Sequence, residues 1–302
     1  MQLPDARNAD IQVYINGELK PRSEAKISVF DSSVQGGDAV WEGLRVYRGR
    51  IAAFTSHLQR LHDSAHALAF QQVPSIEQVK EAVFATLRAN GMDDGVHIRL
   101  TLTRGEKITS GMNPKLNVHG CGLIVLAEWK PPVYGDEGIR IITSAIRRNS
   151  PQHLDSKIHH NNLLNNILAA IDANVAGVDS ALMLDAAGFI SETNDTNVFI
   201  VRDNILYTPH ADSCLPGITR RMILELAHRD AIPVIEKNLS LTELYVADEA
   251  FTTGTMGELT PILQADGRTI GAGSCGPMTR QLQARHRQFA WETGEPLPFS
   301  VG

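Results

Sequence analysis

The chain reads as a two-domain protein of the α/β class, α+β in type. Its 302 residues are enough for two ordinary cores. Strands, hairpins and helices follow one another in mixed order, without the repeated strand–helix–strand unit of a doubly wound sheet. A charged segment carrying a Pro-Pro pair, Glu128 to Gly138, separates two stretches of apolar patterning. These features predict a smaller N-terminal domain over 1–127, a linker over 128–138 and a larger C-terminal domain over 139–302.

The elements follow in order. Val13-Tyr-Ile-Asn-Gly17 is an apolar strand broken by an Asn-Gly hairpin turn. Val46 to Phe54 repeats that logic around Gly49. From Ser56 the spacing turns helical, with Leu58, Leu61, Ala65 and Leu68 on one face. Ser75-Ile-Glu-Gln78 has the form of a capping box, opening a helix whose inward residues are Ile76, Val79, Val83 and Leu87 and whose end is Gly91. Val96 to Thr103 and Gly122 to Ala127 read as strands. Beyond the linker come a strand over 139–144, a helix over 161–175 stopped by Gly177, and strands over 180–184 and 198–201. A helix over 217–231 follows Pro216, then a strand over 250–253 and a last helix from Pro277.

Composition narrows the function. The net charge of -6 is spread along the chain with no basic run, which argues against nucleic acid or an anionic membrane as partner. Three cysteines, Cys121, Cys214 and Cys275, lack metal-ligand spacing and are expected as reduced thiols of a cytoplasmic protein. No run approaches membrane-spanning length, and the N-terminus lacks a basic-then-apolar signal pattern. His97, His159 and His160 have no carboxylate at ligand spacing, so no metal is expected.

Glu192 stands where apolar strand gives way to polar loop, in Gly188-Phe-Ile-Ser-Glu192-Thr-Asn-Asp-Thr-Asn197-Val-Phe. A carboxylate held there either caps the hairpin or faces a cation such as a protonated pyridine nitrogen. Leu215-Pro-Gly-Ile-Thr-Arg220 brings a glycine and a hydroxyl to a helix start, which is either a plain cap or an anion site.

The Glu192 segment resembles the G-x-x-x-E-x-x-x-x-N-x-F block of class IV aminotransferases, the fold-type IV pyridoxal phosphate enzymes. That family includes branched-chain and D-amino acid aminotransferases and aminodeoxychorismate lyase. Six further blocks match in the family's order: Val13 to Gly17, Trp41-Glu-Gly-Leu-Arg45, His57-Leu-Gln-Arg60-Leu, Leu215 to Arg220, Glu258-Leu-Thr-Pro261 and Cys275-Gly-Pro277. The resemblance covers roughly residues 11 to 290. It implies a two-domain fold-type IV architecture with pyridoxal 5'-phosphate between the domains, and a homodimer. It places Glu192 at the pyridine nitrogen, and Arg60, Ile218, Thr219 and Thr255 around the phosphate. Asn197 braces the loop after Glu192 or touches the cofactor. Arg45, Arg99 and Arg104 are candidate partners of a substrate carboxylate.

The reactive lysine departs from the pattern. The family's L-D-x-R-I-K-x-x-N block corresponds to Leu154-Asp-Ser-Lys157-Ile-His159-His-Asn-Asn162, and its lysine column falls on His159. Lys157 lies two residues earlier, on the same face of an extended strand but about 6.6 Å further back. Either Lys157 serves as the amine, or His159 fills the place; an imidazole moves protons but forms no stable covalent link. The function implied is amino-group transfer between an amino acid and a 2-oxo acid. The alternatives are a lyase of the aminodeoxychorismate type and a lysine-deficient homologue that binds a ligand.

Overall fold

The computed structural model of the protein describes residues 5–299. The described chain forms two compact units. Among the described residues, the first comprises 5–131, 158–162 and 290–299; the second comprises 132–157 and 163–289.

The first unit is built on one mixed-length antiparallel sheet. Its strands are β1 (Gln12–Ile15), β2 (Glu18–Pro21), β3 (Ala39–Tyr47), β4 (Arg50–Ile51), β5 (Val96–Thr103) and β6 (Gly122–Trp129). With a two-residue edge strand, Glu295–Pro296, the order is edge–β4–β3–β5–β6–β1–β2. Asn16 and Gly17 both take positive φ, 49° and 97°, as a tight hairpin turn between β1 and β2 requires. A short helix α1 (Ser32–Gly36) precedes β3, and helices α2 (Phe54–Ala67) and α3 (Ile76–Asn90) cover the sheet. Leu58, Leu61, Ala65, Val79, Val83 and Leu87 enter the core with Leu44, Val46, Ile98 and Leu100. The Ser75–Gln78 capping box is complete in both directions, and Gly91 ends α3 in the left-handed conformation. Strand β6 runs on to Trp129, into the segment expected as linker, because Trp129 still pairs with Val96.

The second unit holds a mixed sheet. Its strands are β7 (Ile139–Thr143), β8 (Ser180–Leu184), β9 (Ile190–Thr193), β10 (Asn197–Arg202), β11 (Ile205–Thr208), β12 (Val234–Glu236), β13 (Glu249–Gly254), β14 (Glu258–Ala265) and β15 (Arg268–Thr269). The order is β12–β11–β10–β13–β14–β7–β8–β9, with β15 on β14. Three pairs are parallel: β11 with β12, β14 with β7, and β7 with β8. Helices α4 (Leu164–Ala176), α5 (Ile218–Arg229), α6 (Leu241–Tyr245) and α7 (Pro277–Glu292) complete the elements. Helix α4 starts at Leu164 rather than near Asn161, because the chain first pairs elsewhere: the Asn161 N–H donates to the Ala39 carbonyl at 2.7 Å.

Candidate active site

In the second unit, every residue of β9 is buried, Glu192 among them. An ionised carboxyl there needs donors, and three nitrogens supply them. Arg148 Nε donates to Oε1 at 2.6 Å, Asn197 Nδ2 donates to Oε2 at 3.2 Å, and the Leu215 N–H lies 3.3 Å from Oε2. Arg148 Nη1 also reaches Asn165 Oδ1 of α4 at 3.1 Å, which fixes the guanidinium from behind. Burial pushes the Glu192 carboxyl up, against the pull of Arg148.

Asn197 couples that carboxylate to the start of α5. Its Nδ2 donates to the Leu215 carbonyl at 2.8 Å as well as to Glu192. Two residues on, Gly217 is the N-cap of α5, and no side chain caps the helix. A Cβ on Gly217 would overlap Oδ1 of Asn197, so the close approach requires glycine. Ile218 and Thr219 follow, both buried. The first-turn N–H groups of α5, with the positive end of its dipole, form a donor array suited to an anion. Across the sheet Thr253 stands opposite Asn197, and its hydroxyl is buried without a partner among the described residues. Thr255 is in the turn that follows β13.

Lys157 belongs to the same unit but is not desolvated. Its Nζ donates to the Asp212 carbonyl at 2.9 Å, lies 3.7 Å from Asp155, and its side chain is 43% exposed. A carbonyl, a carboxylate and water thus surround its amine, rather than the enclosed seat a covalent nucleophile occupies. Cys214, in the loop before α5, is a buried free thiol that burial pushes up to about 12.

The first unit contains a second polar cluster, centred on Glu42 of β3, which is fully buried. Arg60 of α2 grips it with Nε at 2.8 Å and Nη2 at 2.7 Å, and His57 Nδ1 lies 2.7 Å from Oε2. His159 Nδ1 is 3.2 Å from Oε1 and 3.3 Å from Arg60 Nη2. The backbone clamps His159 on both sides: its N–H donates to Ser64 Oγ at 3.1 Å, and its carbonyl accepts from the Trp41 N–H at 3.0 Å. The imidazole lies against the Trp41 ring, with centroids 4.2 Å apart. Burial alone would push the Glu42 carboxyl up; His159 and Arg60 more than reverse this and hold it well below the usual range. Burial pushes His159 down to about 4, with Glu42 opposing and Arg60 adding to the effect. Arg60 Nη1 is buried and unpartnered among the described residues.

Thus Glu192, Asn197, Ile218, Thr219 and Lys157 lie in one unit, and Arg60 and His159 in the other. Sequence reasoning gave no role to Glu42 or Arg148. Glu42 carried a usable signal, a lone carboxylate inside an apolar strand, the same signal that marks Glu192. Arg148 had none, because an arginine doublet in a loop has no periodicity. No cluster of metal-ligating side chains occurs among the described residues, nor any helix long and apolar enough to cross a membrane.

The profile described as Amino-transferase class IV matches residues 39–265. The branched-chain-amino-acid aminotransferase-like protein 2 of Arabidopsis thaliana is 57% identical over 297 residues, 98% of this chain and 53% of that protein. The chain spans about half the length of the two Arabidopsis relatives it matches. The branched-chain-amino-acid aminotransferase of Pseudomonas aeruginosa is 36% identical over 281 residues, 90% of each chain. Among crystal structures, the branched-chain aminotransferase of Thermoproteus uzoniensis with norvaline matches with a TM-score of 0.86 at 32% identity, over 94% of this chain and 95% of the other. The Thermobaculum terrenum branched-chain amino acid aminotransferase in its PLP holo-form gives 0.85 at 26% identity, over 94% and 95%. Two α/β units of this topology, a profile match over most of the chain and a Pseudomonas relative alike over 90% of its length lead to one assignment: the chain belongs to the class IV aminotransferase family.

Proposed function

We propose that the chain transfers an amino group between an amino acid and a 2-oxo acid with pyridoxal 5'-phosphate as cofactor. The observation that carries this reading is the tie through Asn197 between a buried, arginine-paired carboxylate and an uncapped helix start. The donor set fits the cofactor's two polar ends. The α5 N–H groups with Thr219, and the unused Thr253 hydroxyl, suit a phosphate. Glu192, paired with Arg148 at 2.6 Å, suits a protonated pyridine nitrogen. When bound, pyridoxal phosphate supplies the electron sink that makes the substrate α-proton removable. Thr255, Arg60 and Asn197 are assigned to cofactor binding with these residues, in line with the family pattern, and Lys157 and His159, where the chain departs from it, to the chemistry.

The relatives' names make branched-chain amino acids the first donors to test. A homodimer in the cytoplasm completes the reading. Glu192→Gln should reduce transfer far more than cofactor retention, because it removes the charge that keeps the ring nitrogen protonated. Equal turnover in wild type and Glu192→Gln would exclude Glu192 from the chemistry.

One observation favours a second reading, a homologue that holds the cofactor without a covalent bond: Lys157 is solvated and bonded to a carbonyl. Borohydride treatment of the loaded protein separates the two. Under the first reading it labels the Lys157 peptide, and under the second it labels none.

A further inference from the structure

We infer that the outer face of α4 seats a second copy of this chain, in an antiparallel two-fold contact that holds the Arg148–Glu192 pair in place. The inference rests on the homodimer of the proposed function and adds its face, its register and its link to Glu192. It does not depend on the transfer chemistry.

Helix α4 carries its large apolar side chains outward. A surface helix ordinarily turns such side chains to the core and its polar ones to water. Here Leu164, Ile167, Leu168, Ile171 and Val175 are between 48% and 84% exposed. Among the described residues of α4 only Ala169 and Ala173 are buried, in a small cluster with Ala181 and Met183 of β8. Apolar residues exposed singly are ordinary, but five on one helix face mark a contact surface. The side chains turned inward include two asparagines. Asn165 Oδ1 accepts from Arg148 Nη1 at 3.1 Å and from the Asn149 N–H at 3.2 Å. Asn166 Nδ2 donates to the Asn194 carbonyl at 2.8 Å. A helix in a folded protein is held mainly by packing of its apolar face, and two alanines supply little of it. Whatever covers α4 therefore also steadies the arginine that meets Glu192.

The pattern of the face selects its occupant. Helix α4 contains no lysine or arginine, and its single charged residue, Asp172, accepts from Ser144 Oγ at 2.6 Å. A membrane surface calls for cations beside the apolar stripe, and the helix has none. A charged partner would find nothing to pair with. The stripe is instead complementary to itself. From Leu164 to Val175 the sequence L-N-N-I-L-A-A-I-D-A-N-V keeps its pattern when reversed, exchanging Leu164 with Val175, Asn165 with Asn174 and Leu168 with Ile171. Leu164, Leu168, Ile171 and Val175 follow one another at spacings of four, three and four, which places them on one ridge. In a two-fold contact every pairing occurs twice. An antiparallel crossing therefore sets Leu168 against Ile171 of the partner subunit, and Leu164 against Val175 of the partner subunit.

The test is sedimentation of the full chain at micromolar concentration, where the wild type should run as a two-chain species. Leu168→Lys alone and Ile171→Glu alone should each weaken association by about tenfold or more, because each buries an unpaired charge twice across the axis. Mixing the two variants should restore it: the register then offers one ion pair and keeps one apolar pair. If either variant loses its far-ultraviolet dichroism, Leu164→Glu with Val175→Arg makes the same exchange with charges that suit the two ends of the helix. In the dissociated variants, hydrogen exchange should accelerate by about fivefold or more over 164–176 and at Asn149, whose N–H Asn165 accepts, but not in the strands of the first unit. A wild type that stays monomeric would overturn the proposal and the homodimer with it, leaving the transfer reading to its own test. A dimer that survives both charges, variants that do not pair on mixing, or unchanged exchange at Asn149 would overturn the proposal alone.

Discussion

Glu192 and Arg148 illustrate how a buried charge pair constrains its neighbourhood. Both side chains are 6% exposed and meet at 2.6 Å, so removing either leaves the other uncompensated. Replacing one partner of such a pair typically costs about 3–5 kcal/mol. Arg148→Met and Glu192→Gln should each lower unfolding free energy on that scale. The double variant should lose less than the sum, with a coupling of about 0.5–3 kcal/mol by denaturant titration. Additive losses would mean that the two side chains act independently. At this scale the sequence was informative where one residue broke a pattern, as at Glu192 within an apolar strand. It was silent on Arg148, whose role depends on a loop brought 44 positions along the chain to its partner. Lys157 and His159 show the same limit: two neighbouring basic residues fall in different units, a division that spacing alone does not reveal.

At the scale of elements, hairpins and caps were the most legible, because their signals are local. The Ser75–Gln78 box and the left-handed Gly91 stand as expected. Ser75→Ala should cost about 1 kcal/mol by thermal or chemical denaturation, the usual value of an N-cap side chain. An unchanged midpoint would show that α3 is held by its packing alone. Strand β3 gave no periodic signal, and its motif was recognised without the strand. It is buried on both faces for most of its nine residues, and a strand covered on both sides shows no alternation. The α5 start tests a contact the sequence could not supply. Gly217→Ala places a methyl against Asn197 and should displace the amide that joins Glu192 to the loop. Affinity for pyridoxal phosphate should fall in this variant by calorimetry while far-ultraviolet dichroism is preserved. Full affinity would show that the close approach is not needed.

At the scale of the whole molecule, three histidines, His286 buried and His97 and His159 half-buried, set an acid limit. Burial, first among the causes in each case, lowers His159 to about 4, His286 to about 4 and His97 to about 3. Each is neutral when folded and takes a proton when unfolded below about pH 6.5. Between that value and the folded value the unfolded state binds more protons, so stability falls as pH falls. The expected contribution is up to about 1.4 kcal/mol per pH unit for each histidine, read from denaturation midpoints between about pH 6.5 and pH 4. His286→Gln should flatten the slope, and a stability independent of pH across that window would contradict the assigned neutral states.

The central claim, that this chain moves amino groups with pyridoxal phosphate, has a direct measurement. The purified protein is loaded with the cofactor and given a branched-chain amino acid carrying heavy nitrogen, together with an unlabelled 2-oxo acid. Mass spectrometry then follows the label. Appearance of heavy nitrogen in the amino acid derived from the acceptor, dependent on pyridoxal phosphate and greatly reduced in Glu192→Gln, is the predicted result. Cofactor binding with no label transferred from any amino acid donor, L or D, would contradict it.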